Sequence, residues 1–183
     1  MTLREQLLEP RFGIGNVKEI LFYVNGHKER KEQLVSYLFE GDTRLSYRAC
    51  WVMTHLPYRG NEEWFPACNR LADYLLCCAH TGICRMLLSL LLEQPLEGEP
   101  RVDLLNYCLE EMLSPFQPAG VRTQTLKLGY RLSLSHPELK QEFLCMMEMM
   151  EENNLPPSMK AAKRNILILE KRARKRAPYK RLS

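Results

Sequence analysis

Residues 42–56 read DTRLSYRACWVMTHL, and this stretch decides how the rest of the chain is read. Asp42 suits the N-cap of a helix, because its carboxylate can accept from the first unpaired backbone N–H groups. Leu45, Ala49, Val52, Met53 and Leu56 then recur at steps of three and four, which puts them on one helical face. Arg44, Tyr47, Arg48, Trp51 and His55 fall on the other side, within about 100° of arc at 100° per residue. Moving 37 residues on, HTGICRMLLSLLL (80–92) carries Arg85 where Arg48 stood, and a further 37 on, PAGVRTQTLKLGYRL (118–132) carries Arg122. A period in the range of about 20–50 residues marks stacked repeats, in which each unit touches its neighbours and the stack offers an extended face to partners.

Working outward, Gly and Pro punctuate the chain at the intervals of helical hairpins. The spacing predicts a short helix over 2–9, stopped by Pro10, and a second that Asn16 caps and Gly26 ends. Four hairpins follow, over about 27–56, 62–93, 101–134 and 136–175. Asn61 would cap the helix that carries Pro66 in its first turns, and Ser135 would cap the helix opening on Pro137. No stretch alternates apolar and polar residues as a half-buried strand does. The expected organisation is an N-terminal capping segment over 1–26, a repeat array over 27–175 and a basic tail over 176–183.

Composition agrees with an all-α fold in an aqueous compartment. Of 183 residues, 45% are apolar and 26% charged, and no apolar run approaches the ~20 residues that span a bilayer. The N-terminus carries Arg4, Glu5 and Glu9, unlike a secretory leader. Seven irregularly spaced cysteines, most of them within predicted helices, point to thiols in a reducing, cytoplasmic setting. Cys77, His80 and Cys84 could gather at a helix end, but a structural zinc site needs a fourth ligand and usually paired cysteines. We therefore expect no metal, and no cofactor of any kind, since no phosphate-binding loop, dinucleotide fingerprint or hydrolase motif is present.

The helix pairs resemble HEAT or armadillo repeats, whose antiparallel helices stack into a right-handed α-α superhelix. In HEAT repeats an Asp in the turn precedes a basic residue of the second helix by six positions, as Asp42 precedes Arg48. Arg85 and Arg122 keep the basic position, while Ala79 and Phe116 stand where the Asp would be. The resemblance covers about residues 27–175 and implies that the second helices line the concave face. Arg44, Tyr47, Arg48, Trp51, His55, Arg85 and Arg122 would then form an aromatic and cationic stripe suited to an anionic or planar group. The same residues could instead bridge neighbouring repeats, with the arginines holding turn acids or carbonyls.

The resemblance implies a non-catalytic scaffold that binds an unidentified protein on the concave face. The competing reading is a nucleic-acid binder or modifier that works through the basic C-terminus and the arginine stripe. Residues 1–159 hold 16 Lys/Arg against 21 Asp/Glu, a net −5, whereas residues 160–183 hold 10 against 1, a net +9. Lys171, Arg172, Arg174, Lys175 and Arg176 could attract phosphates through counterion release. HEAT-like folds also include alkylpurine DNA glycosylases with aromatic and carboxylate clefts, and Trp51, Trp64, Asp73 and Tyr74 supply those residue types without a distinguishing spacing.

Overall fold

The computed structural model describes residues 1–56, 68–94 and 101–176, among which lie ten α-helices and no strand. The helices fall into two compact units, Met1–Gly98 and Glu99–Ser183.

The first unit opens with α1 (Leu3–Leu7), where Thr2 Oγ1 accepts from the Glu5 N–H at 3.2 Å and Glu5 accepts in return from the Thr2 N–H at 2.7 Å. Next comes α2 (Ile14–Val24). Its N-cap is Gly13, and Asn16 sits inside the first turn, where Oδ1 accepts from the Gly13 N–H at 2.9 Å. The expected Asn16 cap is therefore displaced: the helix starts three residues earlier because the Asn side chain reaches back to the preceding backbone. Gly26 and Gly41 end their segments with φ of +77° and +81°, a left-handed conformation that L side chains rarely adopt. Between them run α3 (Lys28–Ser36) and a 3-10 turn, Tyr37–Phe39.

The centre of this unit is α4 (Thr43–Met53). Asp42 caps it as expected, accepting from the N–H groups of Arg44 (2.9 Å) and Leu45 (3.1 Å). Around it pack α1, α2, α3, the 3-10 turn and α6 (Thr81–Glu93), while α5 (Cys68–Cys77) packs on α6. Leu45, Ala49, Val52 and Met53 have no exposed surface. Buried Ser46 lets the 3-10 turn approach, its hydroxyl donating to the carbonyls of Tyr37 (3.3 Å) and Leu38 (3.0 Å). The expected roles of Asn61 and Pro66 lie outside the described residues.

The second unit has the same plan around α8 (Ala119–Ser133), which packs against α7 (Val102–Leu113), α9 (Pro137–Glu148) and α10 (Pro157–Arg176). His136, not Ser135, is the N-cap of α9, directly before Pro137 at the first helical position. Gly129 marks a close crossing: a Cβ there would stand 2.8 Å from Phe143 Cε2 and 3.2 Å from Cys108 Cβ. One end of the α8–α10 contact is tied by Glu170, whose Oε1 accepts from Tyr130 Oη at 2.7 Å and pairs with Lys140 Nζ of α9 at 2.8 Å. Burial alone would raise this carboxyl. The hydrogen bonds from Lys140 and Tyr130, together with the charges of Lys140 and Arg174, outweigh burial and hold it below the usual carboxylate range.

Two outcomes follow from this packing. Gly129→Ala meets the ring of fully buried Phe143, and overpacking of about 1–3 kcal/mol outweighs the ~1 kcal/mol gained in helix propensity. Gly15→Ala meets nothing within 4 Å and keeps the propensity gain, so thermal unfolding should move down for the first variant and up for the second. The lowered Glu170 pKa means that its contribution is whole above the unfolded value near 4.5 and is lost as pH falls through the folded value. Between about pH 5 and pH 3, the melting temperature of the wild type should therefore fall more steeply than that of Glu170→Gln; parallel curves would show that the pair carries no pH-dependent stability.

Candidate functional site

The outward face of α4 is engaged from the N-terminal segment. Arg48 Nη1 donates to the carbonyls of Leu7 (2.7 Å) and Glu9 (2.8 Å), and its guanidinium lies 4.7 Å from the centre of the Phe12 ring. Arg44 Nη2 makes longer bonds to the carbonyls of Leu8 (3.4 Å) and Glu9 (3.3 Å). These carbonyls close the end of α1, where no further turn supplies N–H donors. Burial, followed by the neighbouring Arg44 charge, lowers the Arg48 pKa, yet a guanidinium stays charged in proteins.

Trp51, one turn on, is half-buried, with its ring edge-on to Phe12 at 5.6 Å and to His55 at 6.4 Å. His55 is exposed, and its Nδ1 donates to the Trp51 carbonyl at 2.8 Å, a contact that requires the proton on that nitrogen. Tyr47 faces the start of α6: its ring lies 5.6 Å from that of His80, and Cε2 would be 3.0 Å from a Cβ at Gly82. His80 is itself the N-cap of α6, accepting from the Ile83 N–H at 3.3 Å.

The same capping device recurs elsewhere. Arg30 of α3 donates to the Tyr23 carbonyl at the end of α2 (2.8 Å), and Arg122 of α8 to Met112 at the end of α7 (3.2 Å). Lys163 of α10 donates to Met150 just past α9 (2.9 Å). At the end of α5 the Cys78 carbonyl accepts instead from the thiol of Cys84, at 3.1 Å. Arg85, the neighbour of Cys84, is exposed, and its side chain has no hydrogen bond or ion pair among the described residues.

Of the residues singled out from the sequence, Arg44, Tyr47, Arg48, Trp51, His55 and Arg85 lie in the first unit and Arg122 in the second. Lys171, Arg172, Arg174 and Lys175 are exposed on α10, and Arg176 is its last residue. Asp73 is exposed on α5, Tyr74 packs edge-on to Phe39 at 5.6 Å, and Trp64 lies outside the described residues. All seven cysteines are thiols. No cluster of three His, Cys, Asp or Glu suited to a metal occurs among the described residues. Phe12, Arg30, Lys140 and Lys163 are the participants that sequence reading passed over. Each works through a partner remote in sequence or through a backbone atom, and neither leaves a pattern of residue types.

The family model of the HEAT repeat domain matches residues 3–169. The chain belongs to the HEAT repeat family. Its membership reaches back to α1, well before residue 27, where the resemblance in the sequence began. The family fold is an all-α solenoid of stacked helix pairs, in keeping with the helices described. The comparisons with curated proteins and with solved structures found no match. No helix among the described residues is long and apolar enough to cross a membrane.

This HEAT chain uses two of its period-related arginines to cap helix ends and leaves one exposed, which gives substitutions of one residue type different costs. Arg48→Met should lower unfolding free energy by about 1.5–3 kcal/mol, the range for hydrogen bonds to a charged group. Arg85→Met should change it by less than about 0.5 kcal/mol. Denaturant titration measures both, and equal losses would remove the distinction.

Proposed function

We propose that this HEAT-repeat protein is a non-catalytic cytosolic scaffold that binds another protein on the outward side of α4 and α6. The observation that carries this reading is Arg85. It keeps the spacing of the arginines that cap helix ends, but it is exposed and its side chain makes no hydrogen bond or ion pair among the described residues, while the Cys78 carbonyl at the end of α5 accepts from Cys84. Tyr47 meets Gly82 one turn before Arg85, and Tyr47, Trp51 and His55 follow one another at steps of four along α4. Half-buried Trp51 is held by Phe12, which Arg48 also faces, and lies edge-on to exposed His55. A pre-positioned aromatic beside cations is the composition of interface anchors, and it fits a partner presenting a carboxylate or an aromatic edge. Family membership adds that HEAT stacks characteristically use one face for partners. The thiol state of the cysteines supports a reducing compartment.

Substitution of the two exposed groups separates binding from folding. The double variant His55→Ala/Arg85→Glu should melt within about 2 °C of the wild type, as surface changes do. It should also lose a stoichiometric partner that the wild type retains when both are used as bait in native lysate and quantified by mass spectrometry. Retention of the same partner in equal amount by the double variant would sink this reading.

A further inference from the structure

The outer side of α10 has a charge arrangement that the scaffold reading does not use. The helix runs 20 residues, from Pro157 to Arg176. Its inward side is Met159, Ala162, Ile166 and Glu170, all buried, with Lys163 turned in to the Met150 carbonyl. Glu170 is the one carboxylate in residues 160–183, and it is 6% exposed and occupied by Tyr130 and Lys140. The fold has thus drawn the helix's sole acid into the core. Lys160, Arg164, Lys171, Arg172 and Lys175, all exposed, remain within about 120° of arc, opposite the buried side, at 100° per residue. From Lys160 to Lys175 they extend about 22 Å at 1.5 Å per residue. A nucleic-acid duplex presents about 13 phosphates over that length.

We propose that the outer face of α10 binds the phosphate backbone of nucleic acid, without reading its bases. The distribution of charge favours this occupant: residues 1–159 carry a net −5 and residues 160–183 a net +9, so the net attraction for a polyanion is concentrated at this helix. A lipid surface fits less well. A membrane-bound amphipathic helix buries its apolar side in the bilayer, whereas here Met159, Ala162 and Ile166 are already buried. Within the cationic arc the one large apolar residue is Ile168, with Leu167 and Leu169 on its shoulders. Most of the arc carries charge, as phosphate contact requires and lipid insertion does not.

The test uses the full chain and a fluorescent duplex of about 20 base pairs, with a single strand of equal length beside it, over about 50–200 mM salt. Four to five phosphate contacts predict that duplex affinity falls on the order of 100- to 500-fold across that range. The variant Lys160→Gln/Arg164→Gln/Lys171→Gln/Lys175→Gln should weaken binding at least tenfold and flatten the salt slope by about 3–4 units. A control that removes four exposed cations elsewhere, at Arg11, Lys18, Lys28 and Lys127, should keep the wild-type slope. Circular dichroism and melting confirm that both variants fold. No oligonucleotide binding at about 50 mM salt overturns the proposal, as does equal weakening in variant and control. Capture of phosphatidylserine vesicles without oligonucleotide binding overturns it in favour of a membrane surface. A protein partner lost with His55→Ala/Arg85→Glu bears only on the scaffold reading, so the two proposals fail separately.

Discussion

Every helix that ends against a neighbour leaves carbonyl groups with no N–H of their own turn to accept from, and leaving such groups buried and unpaired costs about 1–3 kcal/mol each. The fold meets this constraint repeatedly with a cation from a later helix: Arg30 at the end of α2, Arg48 and Arg44 at the end of α1, Arg122 at the end of α7, Lys163 at the end of α9. Each bond also sets a positive charge at the negative end of a helix macrodipole. These contacts do more than satisfy hydrogen bonds. A guanidinium reaching from α4 to residues 7–9 fixes the axial position of α1 along α4, which apolar contact alone leaves free to slide.

The apolar packing is organised around two helices placed alike in their units. α4 and α8 each pack against most of the helices around them, and each carries one of the period-related arginines that cap a helix end. Close approach is permitted by small residues on these central helices, Ser46 in α4 and Gly129 in α8. The means differ. Ser46 supplies a hydroxyl that serves the carbonyls of a 3-10 turn, whereas Gly129 supplies only the absence of a Cβ beside Phe143. Repeats of this kind keep the position of a contact and exchange the chemistry that makes it.

That exchange explains what could be read from the residues alone. The apolar side of α4, the Asp42 cap and the turn at Gly26 were legible because each depends on a local rule: helical period, N-cap chemistry, or a backbone angle that favours glycine. The 37-residue step was legible because the arginine side chain is conspicuous. The acceptors were not, since backbone carbonyls are carried by every residue and only the folded chain shows which are left unpaired. Asn16 misled for a related reason: an Asn can cap from outside a helix or reach back from within it, and the two placements differ by one turn. Phe12 gave no signal because its two partners, Arg48 and Trp51, lie more than 35 residues away in the chain.

The three arginines that share one period therefore do not share one function, and the difference comes from their acceptors rather than from the arginines. Arg48 and Arg122 donate to carbonyls at helix ends, whereas beside Arg85 the carbonyl at the end of α5 accepts from the thiol of Cys84. A thiol is a weak donor and shorter than a guanidinium, so it serves a carbonyl only where the backbone already lies close. The Arg85 side chain makes no hydrogen bond or ion pair among the described residues and is exposed. Glu170 lies on the inward stripe of α10: the single acid of a basic helix is held there by Tyr130 and Lys140, and the outer face carries cations with Ile168 among them. In both places the exposed charges are those that no interior group holds. For this fold, the residues to weigh for function are those that keep the repeat position without its structural contact.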